Sequence, residues 1–332
     1  MPPGDEPVSN LGESGLLERV FAKLPSAPSG EIWSGDDAAV ITVGDGSCLL
    51  TTDAIVEGVD FELTSASGYD IGWKAIAVNA SDIAAMGGRP TRAVATLYLR
   101  PDHAVELVDD VLSGLLAGAD RYGLAIVGGD VTEAAELAVS IALLGDIGEN
   151  GPVLRSGAMP GESIWVTGTL GGARAGHLVL TGAVDADRDD PAVTRCVERQ
   201  LRPTARIEAG RVLGGVATAM IDLSDGLALD LQRLLDASGV GCIVDASSIP
   251  IDPAIAALDL DPLETAIVGG EDFELLFTAN ADELDRAIEE LAGTDTKVAR
   301  IGSITAEGVG ATIGDRSLAD WTKESWDHLR PR

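Results

Sequence analysis

The sequence has 332 residues, 45% of them hydrophobic, which exceeds what one core usually holds, so two domains are expected. Its 54 carboxylates against 23 lysines and arginines leave a formal charge of −31, which argues against nucleic acid and anionic membrane as partners and requires cations to accompany any anionic ligand. Cys48, Cys196 and Cys242 show no paired spacing, and no apolar run reaches about 18 residues, so we expect a soluble, cytoplasmic protein without disulfides, zinc or membrane span.

After a polar start, Leu16, Leu17, Val20, Phe21 and Leu24 predict a helix ending before Pro25. Residues 38–43 and 48–52 read as strands joined across Gly44-Asp-Gly46, a hairpin that leaves Asp37 and Asp53 near each other at its far ends. The stretch from Gly72 to Pro90 has a helical pattern and is apolar on nearly every side, hence buried, yet Asn79 and Asp82 fall on one face of it. A buried unpaired carboxylate is costly, and near a helix C-terminus the dipole disfavours it as well, so a positive charge or a set of backbone N–H groups should meet Asp82. A strand over 91–99, a helix over about 102–122 and strands over 124–127 and 137–144 complete an α+β first half, with Gly128-Gly-Asp130 ending the third of those apolar runs.

Two prolines and four glycines between Gly148 and Gly161 break the pattern and place the boundary between domains 1–150 and 151–332 there. The second half opens with a strand over 163–167 and Gly168-Thr-Leu-Gly-Gly172, whose spacing matches neither a dinucleotide nor a Walker turn, so close strand-to-helix packing is expected. Helices near 192–200 and 205–213 and a strand over 218–221 lead to Asp222-Leu-Ser-Asp-Gly226. The helix over 227–237 then has its N-terminus facing whatever the two aspartates hold. Strands at 242–244, 273–277 and 298–304 and a helix over 282–291 complete the second layer, with Gly269-Gly-Glu-Asp272 at a strand edge. Trp321 and Trp326 near the end serve as core anchors or as a pocket cover.

Nucleophilic catalysis is poorly supported, because His103, His177 and His328 are scattered and no serine lies in a GxSxG turn. The five clusters Gly35-Asp-Asp37, Thr51-Thr-Asp53, Asn79 with Asp82, Gly128-Gly-Asp130 and Asp222-Leu-Ser-Asp225 read as one site for metal ions and phosphates. Oxygen ligands of this kind suit Mg²⁺, which bridges to substrate phosphates.

Taken in order, with Lys74 to Gly87, Arg155-Ser-Gly157, Gly269-Gly-Glu-Asp272 and the tail from Asp320-Trp321 to Trp326-Asp-His328 added, these segments resemble the thiamine-monophosphate kinases over residues from about 13 to 328. That family belongs to the superfamily of ATP-dependent enzymes built like aminoimidazole ribonucleotide synthetase. The resemblance implies direct in-line transfer of the γ-phosphoryl group of ATP to the phosphate of thiamine monophosphate, with several Mg²⁺ ions. It implies an α+β N-terminal domain whose sheet forms a barrel across a homodimer, and a C-terminal α/β sandwich. Carried over by position, Asp37, Thr51, Thr52, Asp53, Asp82, Asp130, Asp222 and Asp225 would be metal ligands. Gly129, Asp130, Arg155 and Ser224 would contact ATP, and Asp60, Glu271 and Trp326 the thiamine, Asp60 standing where some members carry histidine. Aminoimidazole ribonucleotide synthetase is the sibling these motifs separate least; a non-catalytic nucleotide-binding module is the alternative of another class, told apart by absence of turnover.

Overall fold

The computed structural model describes residues 8–44, 46–291, 294 and 296–325. Its first half comprises α1 (Gly12–Phe21), β1 (Ala39–Val43), β2 (Gly46–Val56), α2 (Gly68–Ala85), β3 (Arg89–Leu99), α3 (Val105–Tyr122), β4 (Ala125–Glu133) and β5 (Ala138–Asp146). β1 and β2 form the expected antiparallel hairpin, with Ile41 opposite Cys48, and the open sheet runs β1-β2-β5-β3-β4. β5 shows why this sheet has one covered face: Val139, Ile141 and Leu143 are fully buried, while the residues between them are not.

α2 starts four residues earlier than the apolar pattern indicated, because Ser67 and Asp70 form a capping box: Asp70 N–H donates to Ser67 Oγ at 3.2 Å and Ser67 N–H to the Asp70 carboxylate at 3.1 Å. Its backbone meets that of α3 through glycines; a Cβ on Gly72 would lie 2.1 Å from the Val111 carbonyl oxygen. Gly72→Ala is therefore expected to cost about 1–3 kcal/mol through overpacking, read as a lowered melting temperature with unchanged KM values.

β4 departs from expectation. The sequence reading ends this strand at Val127, before the glycines, whereas it continues to Glu133 through both of them. Gly129 crowds β3 so closely that a Cβ there would lie 1.9 Å from the Ala95 carbonyl oxygen, beside a register shift between Ala93 and Val94. Glycine here permits close approach and does not stop the strand. β4 is an outer strand of the sheet and is exposed along nearly its whole length, Val127 and Val131 by 61% and 64%.

The second half comprises β6 (Ser163–Thr167), α4 (Gly172–Leu180), α5 (Pro191–Leu201), α6 (Ile207–Leu213), β7 (Ala219–Asp222), α7 (Leu227–Ser238), β8 (Gly241–Val244), α8 (Pro262–Val268), β9 (Leu275–Ala279), α9 (Ala281–Leu291), β10 (Val298–Thr305), β11 (Ala311–Ile313), β12 (Arg316–Ser317) and α10 (Leu318–Trp321). Seven strands in the order β12-β11-β8-β10-β6-β9-β7 lie between helices. β9 is buried throughout: Leu275, Phe277 and Ala279 join a core shared with α2, α6 and α9, while Leu276 joins a second core with α7, α8 and α10. Because the first of those cores also holds the inner face of the five-stranded sheet, the two halves are packed into one another. No helix among the described residues is long and apolar enough to cross a membrane.

Candidate active site

Where the halves meet there is a cavity of about 670 Å³. Asp37, Thr51, Thr52, Asp53, Asp60, Asp82, Arg155, Asp222, Ser224, Asp225 and Glu271 all line it, so eleven positions singled out in the sequence converge. The hairpin presents Thr51 to Asp53 to one side of α2. Asn79, fully buried, fixes that contact by accepting from the Asp53 backbone N–H at 2.9 Å while its own amide donates to the Ala75 carbonyl at 2.9 Å.

Oxygens of Asp37, Asp82 and Asp222 lie within 4.8 Å of one another. The Thr51 hydroxyl donates to Asp82 at 2.5 Å and the Ser81 hydroxyl to Asp222 at 2.5 Å, which orients both carboxylates without neutralising either. The cation expected beside Asp82 lies elsewhere: Arg155 pairs with Asp37 at 2.7 Å and its N–H donates to Asp36 at 2.7 Å. Asp82 has no ion-pair partner among the described residues. Burial, followed by the charges of Asp53, Asp222 and Asp37, holds its carboxyl well above the usual carboxylate range. Burial and Asp37 do the same to Asp222. Two unit charges at 4 Å repel by about 4 kcal/mol at an effective dielectric of 20, so three such groups call for added positive charge. All-oxygen donors in this density fit a hard divalent cation.

Asp225 is different, because Arg233 pairs with it at 2.5 Å and with Asp230 at 2.8 Å. Asp230, pushed up to about 7 by burial, accepts from the N–H groups of Asp225 and Gly226 and so closes the turn before α7. At the far end of the cavity the buried Lys74 meets Glu271 at 2.5 Å and donates to the Asp60 carbonyl at 3.1 Å, and the Gln200 amide also donates to Glu271. Glu271 and Phe273 occupy the left-handed region, with φ of 68° and 49°. Backbone bonds from their N–H groups to Ser224 and Leu223, at 2.8 and 3.0 Å, hold this conformation, which costs about 1–3 kcal/mol per residue. Asp272, next in the chain, accepts from the N–H groups of Gly171 and Ala173 at 2.5 and 3.1 Å. The glycine-rich turn before α4, expected only to allow close strand-to-helix packing, is thus filled by the protein's own carboxylate.

The sequence reading missed four residues here. Lys74 carries the same signal as Asp82, a charge inside an apolar helix, and could have been paired with an acid on that ground. Gln200 and Arg174 gave no local signal. His177, read as structural or surface, lines the cavity and an adjoining hollow of about 80 Å³ together with Asp60 and Gln200.

Two family models, described as the N-terminal and C-terminal domains of AIR synthase related protein, match residues 35–147 and 159–315. The chain is 35% identical over 326 residues to the thiamine-monophosphate kinase of Aquifex aeolicus (strain VF5), covering 97% of this chain and 99% of that one. The chain belongs to the thiamine-monophosphate kinase family. A second relative in the family, from Halobacterium salinarum, is 36% identical over 299 residues, covering 89% and 94% of the two chains. The solved structure of AaThiL complexed with AMPPCP and TMP superposes with a TM-score of 0.85 at 31% identity, over 98% of this chain and 99% of that one.

The other positions carried over from the family are Trp326, Gly129 and Asp130. Trp326 lies outside the described residues, as does His328. Gly129 and Asp130 sit on β4 and do not line the cavity. Asp53 pairs with Ile141, Ile141 with Ala95 and Ala95 with Gly129, so Asp53 and the Gly-Gly-Asp segment share one row but lie three strands apart, about 14 Å at the usual strand spacing.

Proposed function

We propose that this chain transfers the γ-phosphoryl group of ATP directly to the phosphate of thiamine monophosphate, giving thiamine diphosphate and ADP. The observation that carries this is the Asp37, Asp82 and Asp222 cluster between Arg155 and the Lys74–Glu271–Gln200 group, in a chain so similar to thiamine-monophosphate kinases. The acceptor is a phosphate monoester whose second pKa is near 6, so its attacking oxygen is ionised at pH 7 and needs no general base. The obstacle is repulsion between two polyanions.

Asp37, Thr51, Thr52, Asp53, Asp82, Asp130, Asp222 and Asp225 would hold Mg²⁺ ions. When bound, those ions would offset the phosphate charges and fix their geometry. Thr51 and Ser81 orient the Asp82 and Asp222 carboxylates. Arg155 and Ser224 would contact the nucleotide. Lys74 and Asp82 are eight residues apart on α2, about 12 Å along its axis, which leaves the two rings of thiamine room between Glu271 and the carboxylates. Since Lys74 already neutralises it, Glu271 acts toward the thiamine chiefly as a hydrogen-bond acceptor. Asp60 and Trp326 would complete that end.

We assign ATP and metal binding and dimerisation to residues 1–150 and the α/β sandwich to 151–332, in a cytoplasmic protein. The exposed faces and free edge of β4 support a homodimer in which two open sheets close into a barrel, and Asp130 of one subunit reaches the site of the other. Asp53→Asn and Asp130→Asn should each be inactive alone. Mixed dimers of the two should regain activity, because one of their two sites keeps both aspartates; a mixture that stays inactive after subunit exchange would place both residues in one chain.

The pH profile should show an acidic limb near 6, set by the substrate phosphate, and activity should fall below it. His177→Asn should leave that limb in place; its displacement would make His177 a titrating participant. Release of ADP from ATP, measured with thiamine monophosphate, with the substrate of aminoimidazole ribonucleotide synthetase, or with neither, tests the reading as a whole. Turnover with thiamine monophosphate alone is expected, and turnover with the other acceptor would reassign the chain to its sibling.

A further inference from the structure

From β12, an outer strand of the seven-stranded sheet, the chain passes through the single turn of α10 and reaches the cavity two residues later, where Lys323, Glu324 and Ser325 form part of the wall. So short a helix does not hold its own shape. One guanidinium spans the whole passage. Arg316 donates to both carboxylate oxygens of Glu324, at 3.0 and 2.6 Å, and to the Asp320 carbonyl at 2.8 Å, and its Cζ lies 4.1 Å from the centroid of the Trp321 ring. A lone exposed ion pair contributes little, but a planar fork bound on three sides fixes the direction of the residues it joins. What this clamp orders is not a core: none of residues 322–325 is buried or belongs to a hydrophobic cluster. The Ser325 hydroxyl, shielded from solvent at the cavity wall, has no hydrogen-bond partner among the described residues. A clamp on a segment that adds nothing to the core, and that ends on an unused hydroxyl, orders that segment for the cavity.

We propose that Arg316 is a positioning residue for acceptor binding: its clamp holds the C-terminal segment against the cavity, and without it the segment leaves the wall and thiamine monophosphate binds more weakly. This inference rests on the functional reading above, in which Trp326, next after Ser325 in the sequence, meets the thiamine. The acceptor end is indicated by the layer on which the clamp stands. Trp321 packs against the same core as Leu263 and Val268 of α8, and α8 runs directly into the Gly269-Gly-Glu271 turn, whose carboxylate faces the thiamine in that reading. A ligand that needs the segment in place loses apparent affinity in proportion to the fraction of molecules that keep it there. If one molecule in about ten does so, binding weakens about tenfold.

The test compares steady-state kinetics, melting and trypsin cleavage after Lys323 in the full chain and in R316M and R316K. R316M keeps an apolar side chain against the Trp321 ring and removes the fork. Its KM for thiamine monophosphate should rise about tenfold, with KM for ATP within about twofold, kcat at saturation retained and the melting temperature unaltered. Cleavage after Lys323, followed by mass, should quicken by a similar factor, and saturating thiamine monophosphate should slow it again. R316K keeps the charge without the fork and should fall between the two, and it carries the test by itself should R316M fold poorly. An unchanged KM for thiamine monophosphate, equal rises in both KM values with a lowered melting temperature, or unchanged cleavage after Lys323 would each overturn the assignment. Failure of the unmutated chain to form thiamine diphosphate would instead overturn the functional reading beneath it, and the cleavage rates would still decide whether Arg316 holds the segment in place.

Discussion

Asp82→Asn is expected to lower turnover by about a hundred- to a thousandfold while leaving the protein folded and, with divalent ions removed, more stable to heat. Asparagine keeps the oxygen that accepts from the Thr51 hydroxyl and removes a charge that faces Asp53, Asp222 and Asp37. The stability effect has a definite sign. Burial and those neighbours raise the Asp82 pKa in the folded chain, so the native state binds more protons than the unfolded one between the ordinary carboxylate pKa and the raised value. Stability of the chelated wild type must then fall as pH rises through that window. Asparagine abolishes the fall, so the gain in melting temperature should be largest near neutrality and vanish in acid. Asp222→Asn should behave alike, since Ser81 retains its acceptor. A variant with normal kcat, or one whose stability tracked that of the wild type at every pH in EDTA, would refute the account of this cluster.

Glu271→Gln is expected to do two things at once: weaken binding of thiamine monophosphate and destabilise the fold by roughly 3–5 kcal/mol. The second effect comes from Lys74, whose side chain is only 3% exposed and whose ammonium would lose its partner. The double variant Lys74→Met with Glu271→Gln removes both charges and should recover most of that stability without recovering the KM, so denaturant unfolding and steady-state kinetics separate the two roles. If the single variant proved as stable as the wild type, the pair would not be the anchor of this end of the cavity.

Much of this site was legible because its chemistry violates local expectation. Asp82 inside an apolar helix, and aspartates beside glycines at the ends of apolar runs, are placements that a packed core does not favour, and Asp37, Asp53, Asp82, Asp222 and Asp225 do meet in one cavity, while Asp130 does not line it. Pairing was not legible. Charge complementarity says that an acid needs a cation but not which one, and the chain gives Arg155 to Asp37 while leaving Asp82 to hydroxyls and other acids. Glycines misled at β4, because the same residue ends one strand and admits close approach in another; only the position of the Ala95 carbonyl distinguishes the cases. α8 escaped notice for a simpler reason. Its seven residues are too few to show a period, although Asp261 as cap and Pro262 at its first turn mark its start. In the proposed homodimer the role of Asp130 depends on a second subunit, and no periodicity within one chain carries that information.

The claim on which the rest depends is that the carboxylate cluster holds divalent ions beside the nucleotide. Titration of Mn²⁺ into metal-free protein with AMPPCP, read by the electron paramagnetic resonance of the free ion, tests it directly. The account predicts tight sites in the wild type, and in Asp82→Asn either one site fewer or affinity weaker by at least about tenfold. Equal stoichiometry and equal affinity in the two proteins would contradict it.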